Sequence, residues 1–342
     1  MNCLNHTRLL GMLMLFAWLY AGCSQSDGPD VSNIPMDVKI IRFDKEVFAI
    51  DTNQIEIGLA QLRQKYPEMT DLFTGTLIHD QTNPSETPQQ AISGFLKAPQ
   101  IRKLYDTIQL VYPDLRWLEK DINHLFRHHK YYFPGKPTPK VAAVISEFAV
   151  DAFTYGDSLC GIGLDLFLGE NFWGYNPEIF PAYIRRQLNR DYIVIRLGKT
   201  LAQNAMGETP PGKTLLDMML YNGKMLYVTG KLLPGTPDSL IMGYTREQME
   251  GSLANEQAVW ARLLEQKLLY STDFDTFKKL VTPSPNAPVV FQEAPGEIGN
   301  WVGWQIVKSY MERNPETSFD TLLKMTDAQK FLEAAKYKPK RK

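Results

Sequence analysis

The chain has 342 residues with 37 Lys or Arg and 38 Asp or Glu, which gives a formal net charge of -1 at pH 7. This balance argues against nucleic acid as a partner, because domains that bind nucleic acid carry a marked excess of positive charge. With 44% hydrophobic residues over this length, the chain can bury a large core.

The N-terminus has the pattern of a bacterial lipoprotein signal. A positive charge at Arg8 precedes an apolar run over residues 9–21, and the small residue Gly22 stands directly before Cys23. We therefore predict a signal peptide over residues 1–22 and a mature chain that begins at an acylated Cys23. The lipid would hold the chain on a membrane, because each buried CH₂ group contributes about 0.8 kcal/mol. The alternative is an uncleaved N-terminal anchor, and either arrangement places the rest of the chain outside the cytoplasm.

The segment that starts at Cys23 is predicted to be a tether. Residues 23–35 are polar and rich in Gly, Pro, Ser and Asp, a composition typical of flexible linkers. Residues 36–342 contain no further linker, so we predict that they form one domain. Cys160 would be its one cysteine, since Cys3 belongs to the signal peptide, and no intramolecular disulfide is expected.

Helices dominate the predicted secondary structure of this domain. The predicted strands cover residues 38–43, 140–146 and 158–169. The predicted helices cover residues 54–66, 91–106, 113–128, 179–189, 191–206, 214–231, 253–270 and 298–313. Capping-box patterns at Thr245 and Thr326 predict two further helix starts. Because the strands are few and separated by helices, we predict a mostly helical α+β fold with a small sheet in a single domain.

Standard catalytic motifs are absent from the sequence, which contains five histidines. We find no GxSxG elbow, no Walker A loop, no GxGxxG and no HExxH zinc helix. His124 and His128 have the i, i+4 spacing by which a helix can bind zinc, but the intervening glutamate is missing and the neighbouring residues are charged. We interpret the pair as a solvated helix face and expect neither a metal nor a cofactor.

The predicted helix over residues 214–231 carries a polar stripe on an otherwise apolar surface. Asp217, Tyr221 and Lys224 follow one another at i, i+4 and i+7, so they share one face. Since a buried charge without a partner is costly, the stripe indicates either a buried network closed by neighbouring backbone or the floor of a cleft. Gly223, in the middle of this helix, predicts that another backbone packs close to it.

Glu256 interrupts the apolar face of the next long predicted helix. Leu253, Trp260, Leu264 and Leu268 define that face, and Glu256 falls among them. A carboxylate on a core-facing stripe is either paired within the protein or functional. The sequence leaves both alternatives open.

The predicted helix over residues 298–313 combines small and very large side chains. Gly299 and Gly303 remove side chains from one face, which would permit a close helix crossing. Trp301 and Trp304 are large anchors that lie either in the core, the alternative we favour, or at an exposed interaction surface.

Six segments of the chain together resemble the GldB family of gliding-motility lipoproteins from the Bacteroidetes. They are IRFDKEVF at 41–48, FPAYIRRQ at 180–187, TLLDMMLYNGKMLY at 214–227, GYTREQ at 243–248, NEQAVWARLLEQKLLYS at 255–271 and APGEIGNWVGWQIVKSYMERNP at 294–315. The resemblance implies an envelope lipoprotein tied to gliding and its associated secretion machinery. It also implies an outer-membrane location, a lipid anchor and envelope proteins as partners, and it supplies no catalytic residues. The tether contains only Asp27 and Asp30 as acidic residues, which favours the periplasmic face over the cell surface.

The same helices are distantly similar to zincin-type metallopeptidases. In that similarity Asp217 and Tyr221 stand where the two histidines belong, and Glu256 stands at the third ligand. Such a set has too few ligands for a catalytic zinc. The similarity therefore implies a zincin-like fold without the peptidase chemistry.

These observations favour a non-enzymatic scaffold or interaction component of the envelope. Its docking surface would be either the cleft in which a zincin-like fold would hold its active site, or the helix of Trp301 and Trp304. One alternative is a divergent hydrolase, and another is a peptide- or glycan-binding module in the same cleft. The candidate catalytic residues of the hydrolase are Asp217, Tyr221, Lys224 and Glu256.

Overall fold

A small mixed sheet lies among many helices in the computed structural model, which describes residues 28–79, 83, 85–207 and 209–340. Strands β1 (Ile40–Ile41), β2 (Lys140–Val144), β3 (Ala152–Tyr155) and β4 (Leu159–Gly163) pair in the order β1-β2-β4-β3. β1, β2 and β4 run parallel, and β3 pairs antiparallel with β4. The central strands β2 and β4 are almost fully buried, as expected for a parallel sheet covered by helices.

Within the part of the chain that the structure describes, six helices precede the second strand. They are α1 (Phe43–Phe48), α2 (Ile55–Lys65), α3 (Pro67–Leu72), α4 (Pro88–Lys97), α5 (Pro99–Val111) and α6 (Arg116–Tyr132), with a π-helical turn at Phe73–Leu77. Three of them begin with proline, whose fixed φ suits the first turn of a helix. The predicted helix over residues 91–106 is therefore two helices, because Ala98 before Pro99 takes an extended conformation.

The helices after the sheet form the larger part of the fold. They are α7 (Ala182–Arg185), α8 (Ile193–Met206), α9 (Leu215–Leu232), α10 (Asp238–Met242), α11 (Arg246–Ala254), α12 (Glu256–Glu265), α13 (Phe274–Val281), α14 (Ile298–Arg313), α15 (Phe319–Lys324) and α16 (Ala328–Ala335). The single-turn α7 replaces the predicted helix over residues 179–189. The predicted boundaries of α14 agree with the structure.

Two long helices, α9 and α14, cross at unusually short range. A Cβ atom at Gly223 would lie 2.4 Å from the carbonyl carbon of Gly303, and one at Gly303 would lie 1.9 Å from the carbonyl oxygen of Met219. Only glycine therefore fits on either side of the contact. The close approach that the sequence predicts from these two glycines is confirmed.

The predicted helix over residues 253–270 is wrong in both its start and its end. Helix α11 stops at Ala254 because the Asn255 side chain donates a hydrogen bond to the carbonyl of Gly251 at 2.8 Å. A new helix starts at Glu256, and the chain turns away after Glu265 with Lys267 at a φ of 54°.

The contacts within the chain divide it into Met1–Asp30 and Val31–Lys342, and the second unit contains every helix and strand given above. Val31 is buried, and Arg127 donates to the carbonyl of Ile34 at 3.1 Å, so packed structure starts before residue 36. The predicted signal peptide and Cys23 lie outside the described residues. None of the described helices has both the length and the apolar character that a membrane span requires.

Candidate functional site

The polar stripe of α9 lines a small cavity. Asp217, Tyr221 and Lys224 face a space of about 60 Å³ that Met325 and Ala328 close from the C-terminal segment. Pockets that hold small molecules are several times larger, typically about 300 Å³ or more. The structure thus brings the three predicted residues together, at a place too small for a substrate.

Asp217 serves the start of its own helix. Its Oδ2 accepts from the backbone N–H of Thr214 at 3.0 Å and from the Thr214 hydroxyl at 2.5 Å, and its own N–H donates to Thr214 Oγ1 at 3.2 Å. This reciprocal arrangement is a capping box, which satisfies two backbone donors that the first helical turn leaves open. The carboxylate is therefore occupied by structural hydrogen bonds.

Tyr221 and Lys224 also bond to backbone. The Tyr221 hydroxyl donates to the carbonyl of Gly207 at 2.6 Å, and the Lys224 ammonium donates to the carbonyl of Met325. Lys224 Nζ lies 4.9 Å from the centre of the Phe331 ring, a cation–π contact. Burial lowers the pKa of Lys224 to about 8. Of the two alternatives for the stripe, the geometry matches the network closed by backbone.

Glu256 lies at a different place, at the first residue of α12, and it is not among the residues that line the cavity. Its Oε1 accepts a hydrogen bond from the Tyr337 hydroxyl at 2.8 Å, and the Tyr337 ring packs edge-on against Trp260 at 5.2 Å. Burial, together with the adjacent carboxylate, raises the pKa of Tyr337. Glu256 therefore fixes the C-terminal segment to α12.

The apolar stripe predicted around Glu256 is wrong. Leu253 is 40% exposed and Leu264 is 49% exposed. The buried residues of α12 are instead Glu256, Val259 and Leu263. The error follows from the helix break at Asn255, which rotates the second half of the segment relative to the first.

Trp301 and Trp304 are core residues, with only 1% and 2% of their surfaces exposed. The favoured alternative, burial in the core, is confirmed, and the alternative of an exposed interaction surface is wrong, because the α9–α14 crossing encloses this face of α14. Within the described residues, Trp304 Nε1 is buried without a hydrogen-bond partner, and Lys308 Nζ lies 4.0 Å from the Trp304 ring centre.

The two histidines of α6 have different surroundings. His124 is exposed, whereas His128 is buried and its Nδ1 lies 3.0 Å from the carbonyl oxygen of His124. The predicted solvated face is therefore wrong for His128. No group of three or more His, Cys, Asp or Glu side chains within the described residues is placed to hold a metal ion.

A partly buried cluster of charges around α8 was not found from the sequence. Arg196 Nε lies 3.3 Å from Asp151 Oδ2, next to the edge strand β3. Lys199, one turn along α8, is so enclosed that burial lowers its pKa to about 8. Glu297 faces the same cluster in a left-handed conformation with φ of 62°, and burial raises its pKa against the opposing effect of Lys199. The sequence does contain a signal for this cluster, since Arg196 and Lys199 are two cations spaced i, i+3 on a largely apolar helix.

The buried carboxylate of Asp165 holds the loop that follows β2. Asp165 is fully buried and accepts from the backbone N–H groups of Ser146 at 3.2 Å and Phe148 at 2.5 Å. Glu147 and Phe148 have φ values of 55° and 67°, which non-glycine residues adopt only when the surroundings impose them. Burial raises the pKa of Asp165 to about 6. The predicted strand over residues 158–169 ends at Gly163 because this carboxylate turns inward.

A larger groove opens between α6, the start of α8 and the loop before α10. Its volume is about 480 Å³, which lies within the range of ligand sites. Polar and aromatic side chains line it, namely Trp117, Lys120, Asp121, His124, Arg190 and Asp191. The Arg190 guanidinium lies 4.3 Å from the centre of the Trp117 ring. Apart from His124, which the sequence analysis weighed only as a zinc ligand, none of these residues was singled out from the sequence, and the groove was not predicted.

Comparison with protein families gives a match that covers most of the chain. A family model described as "Gliding motility protein GldB" matches residues 24–339 of the chain. No curated protein matches, and no solved structure matches.

Proposed function

Because the chain belongs to the GldB family of gliding motility proteins, we propose that it is an envelope lipoprotein, acylated at Cys23, that acts as a non-enzymatic scaffold for other envelope proteins. The observation that carries this proposal is the family match over residues 24–339, which starts directly after the predicted lipidation site. The family accounts for nearly all of the chain that would remain after signal cleavage.

The location follows from the N-terminal segment. The short apolar run, the small residues and Cys23 support lipid attachment. We place the lipid in the outer membrane and the domain on its periplasmic side, since the tether has few acidic residues. The partners are other envelope proteins and the membrane itself, and the near-zero net charge gives no support for a nucleic-acid partner.

The non-enzymatic role is supported by the contacts of the candidate catalytic groups. Asp217 caps α9, Lys224 bonds to the carbonyl of Met325, and Glu256 bonds to Tyr337. Each polar group that could act on a substrate thus has a structural partner, and the cavity beside α9 holds about 60 Å³. These observations give no support to a hydrolase or to ligand binding in that cavity.

Metabolic labelling with palmitate tests the lipid anchor. The native chain should incorporate label and fractionate with the outer membrane, and Cys23→Ala should do neither. Cys160→Ala is the matched control, because Cys160 is buried and should leave labelling unchanged. An unlabelled native chain would overturn the proposed anchor.

Complementation tests the non-enzymatic role. Lys224→Met and Glu256→Gln keep the shape of each side chain and remove its charge. In a strain that lacks the gene, both variants should restore the missing phenotype if they accumulate at native levels. Loss of complementation by either well-folded variant would favour catalysis instead.

Copurification of the lipidated chain from solubilised envelopes tests the scaffold role. Defined envelope proteins should be recovered in fixed proportion with the native chain. Recovery of the chain alone after mild cross-linking would contradict the proposal.

A further inference from the structure

The groove between α6 and α8 has charged side chains on both of its walls. Lys120 and Asp121 on one wall are exposed, as are Arg190 and Asp191 on the other. Within the described part of the chain, the charged groups of these four residues form no hydrogen bond and no ion pair. The Arg190 guanidinium lies 4.3 Å from the centre of the Trp117 ring.

The charges of the groove balance. Each wall carries one cation next to one anion, Lys120 with Asp121 and Arg190 with Asp191. A strongly anionic or cationic ligand would meet as much repulsion as attraction here. A neutral ligand with many hydroxyl groups can instead donate to the carboxylates and accept from the cations, so it satisfies both kinds of group.

The walls also limit the shape of the ligand. Helices satisfy their own backbone groups, and the third wall is a loop with Pro234 and Pro237, which lack an N–H. The groove therefore offers no strand edge to which an extended peptide could pair.

Trp117, Val194 and Leu240 are among the apolar residues of the lining, and the Arg190 guanidinium lies over the Trp117 ring. Sugar rings present an apolar face of C–H groups and a rim of hydroxyls, which matches a lining that combines apolar with charged side chains. We propose that this groove binds a short stretch of a neutral glycan. The site is separate from the cavity beside α9, and the proposal deepens the proposed scaffold function by naming a second class of partner besides envelope proteins.

Titration of the purified full chain in detergent with neutral tetrasaccharides tests the proposal. The probes are cellotetraose, chitotetraose, maltotetraose and mannotetraose, followed by calorimetry and by chemical-shift changes. At least one should bind, and Trp117→Ala should weaken its binding at least about tenfold. Because the ligand is neutral, raising the salt concentration from 50 to 500 mM should change the affinity less than about twofold.

A second tryptophan gives the matched control. Trp173 is 61% exposed and has Lys103 Nζ 3.9 Å from its ring centre, so it repeats the cation–π pair of Trp117 outside the groove. Trp173→Ala should leave the affinity within about twofold of the native value. Asp121→Asn, an exposed change with nearly the same shape, should weaken binding even if Trp117→Ala fails to fold.

Several results would overturn the proposal. It falls if none of the four saccharides binds, if Trp117→Ala and Asp121→Asn bind as the native chain does, or if Trp173→Ala loses as much affinity as Trp117→Ala. It also falls if a tetrapeptide of alternating Lys and Asp binds in salt-sensitive fashion while the saccharides do not, which would favour a protein partner. These measurements do not depend on lipidation, so the glycan site can fail while acylation at Cys23 and copurification succeed.

Discussion

Two polar regions of this molecule use the same types of side chain in opposite ways. Beside α9, Asp217, Tyr221 and Lys224 each bond to neighbouring protein groups and surround a cavity of about 60 Å³. In the groove between α6 and α8, exposed Asp121 and Arg190 have no such bonds within the described residues, and the space is about 480 Å³. In this molecule, polar residues that stand out in an apolar stretch of sequence have structural roles. The residues of the candidate recognition surface lie instead among other polar residues and do not stand out in the sequence.

The largest effect on the first region should come from Gly303→Ala at the α9–α14 crossing. The added Cβ would lie 1.9 Å from the carbonyl oxygen of Met219, so the two helices must separate. We expect the free energy of unfolding to fall by about 3 kcal/mol, the upper range for overpacking a core. Denaturant unfolding followed by circular dichroism measures this change.

Gly94→Ala is the matched control, because no atom lies within 4 Å of a Cβ at Gly94 on α4. Alanine is the better helix former, so this variant should be more stable by about 0.5 to 1 kcal/mol. If Gly303→Ala and Gly94→Ala shifted the unfolding midpoint alike, the close crossing would not exist in solution.

The second effect concerns the pH dependence of stability through Lys224. Burial lowers its pKa to about 8 in the folded chain, against about 10.4 when unfolded. Below pH 8, Lys224 is protonated in both the folded and the unfolded chain, and the folded chain bears the full free-energy cost of burying the charge. Between about pH 8 and 10.4 the unfolded chain binds more protons, so the free energy of unfolding rises with pH by roughly 2 to 3 kcal/mol from this group.

Lys224→Met removes the titrating group and keeps the length of the side chain. The difference in unfolding free energy between the native chain and this variant should grow in favour of the native chain from pH 7.5 to 10. A difference that stays constant over this range would show that Lys224 is hydrated rather than enclosed by Met325 and Phe331.

The third effect, from Asp217→Ala, should be about 1 kcal/mol of lost stability. The substitution removes the capping box with Thr214 while leaving α9 otherwise intact. Asp217→Asn should keep part of the stability, because an amide oxygen can still accept from the Thr214 N–H. If Asp217→Ala were neutral in thermal unfolding, the carboxylate would have to serve another purpose.

The sequence predicted some of these features well and missed others for physical reasons. The long helices α9 and α14 and a close backbone approach at Gly223 and at Gly303 follow from local patterns, and the structure agrees. That the two glycines meet each other was not predicted. Burial of Trp301 and Trp304 depends on that same crossing. Whether such aromatic residues face the core or a partner is decided by packing, which periodicity alone cannot reveal.

Long-range placement explains the failures. Asp165 leaves the predicted strand because its carboxylate bonds to backbone of the loop after β2, about twenty residues away in sequence. The Lys199 and Glu297 cluster joins residues that are far apart in the chain. The groove was missed for the opposite reason, since Lys120, Asp121 and Arg190 look like ordinary solvated side chains until the fold brings two walls together.

The smallest effect on stability should come from a substitution in the groove. Asp121 is exposed within α6, and its side chain forms no hydrogen bond or ion pair with any described residue, so Asp121→Ala should change the free energy of unfolding by less than about 0.5 kcal/mol. The better helix propensity of alanine makes a slight gain the expected sign. The same variant should nevertheless bind the neutral tetrasaccharide more weakly.

Asp217→Ala should do the reverse, with lower stability and unchanged binding, because its carboxylate lies outside the groove. Measuring both quantities on both variants separates a structural carboxylate from a recognition carboxylate, and a parallel loss of stability and binding in Asp121→Ala would remove the distinction.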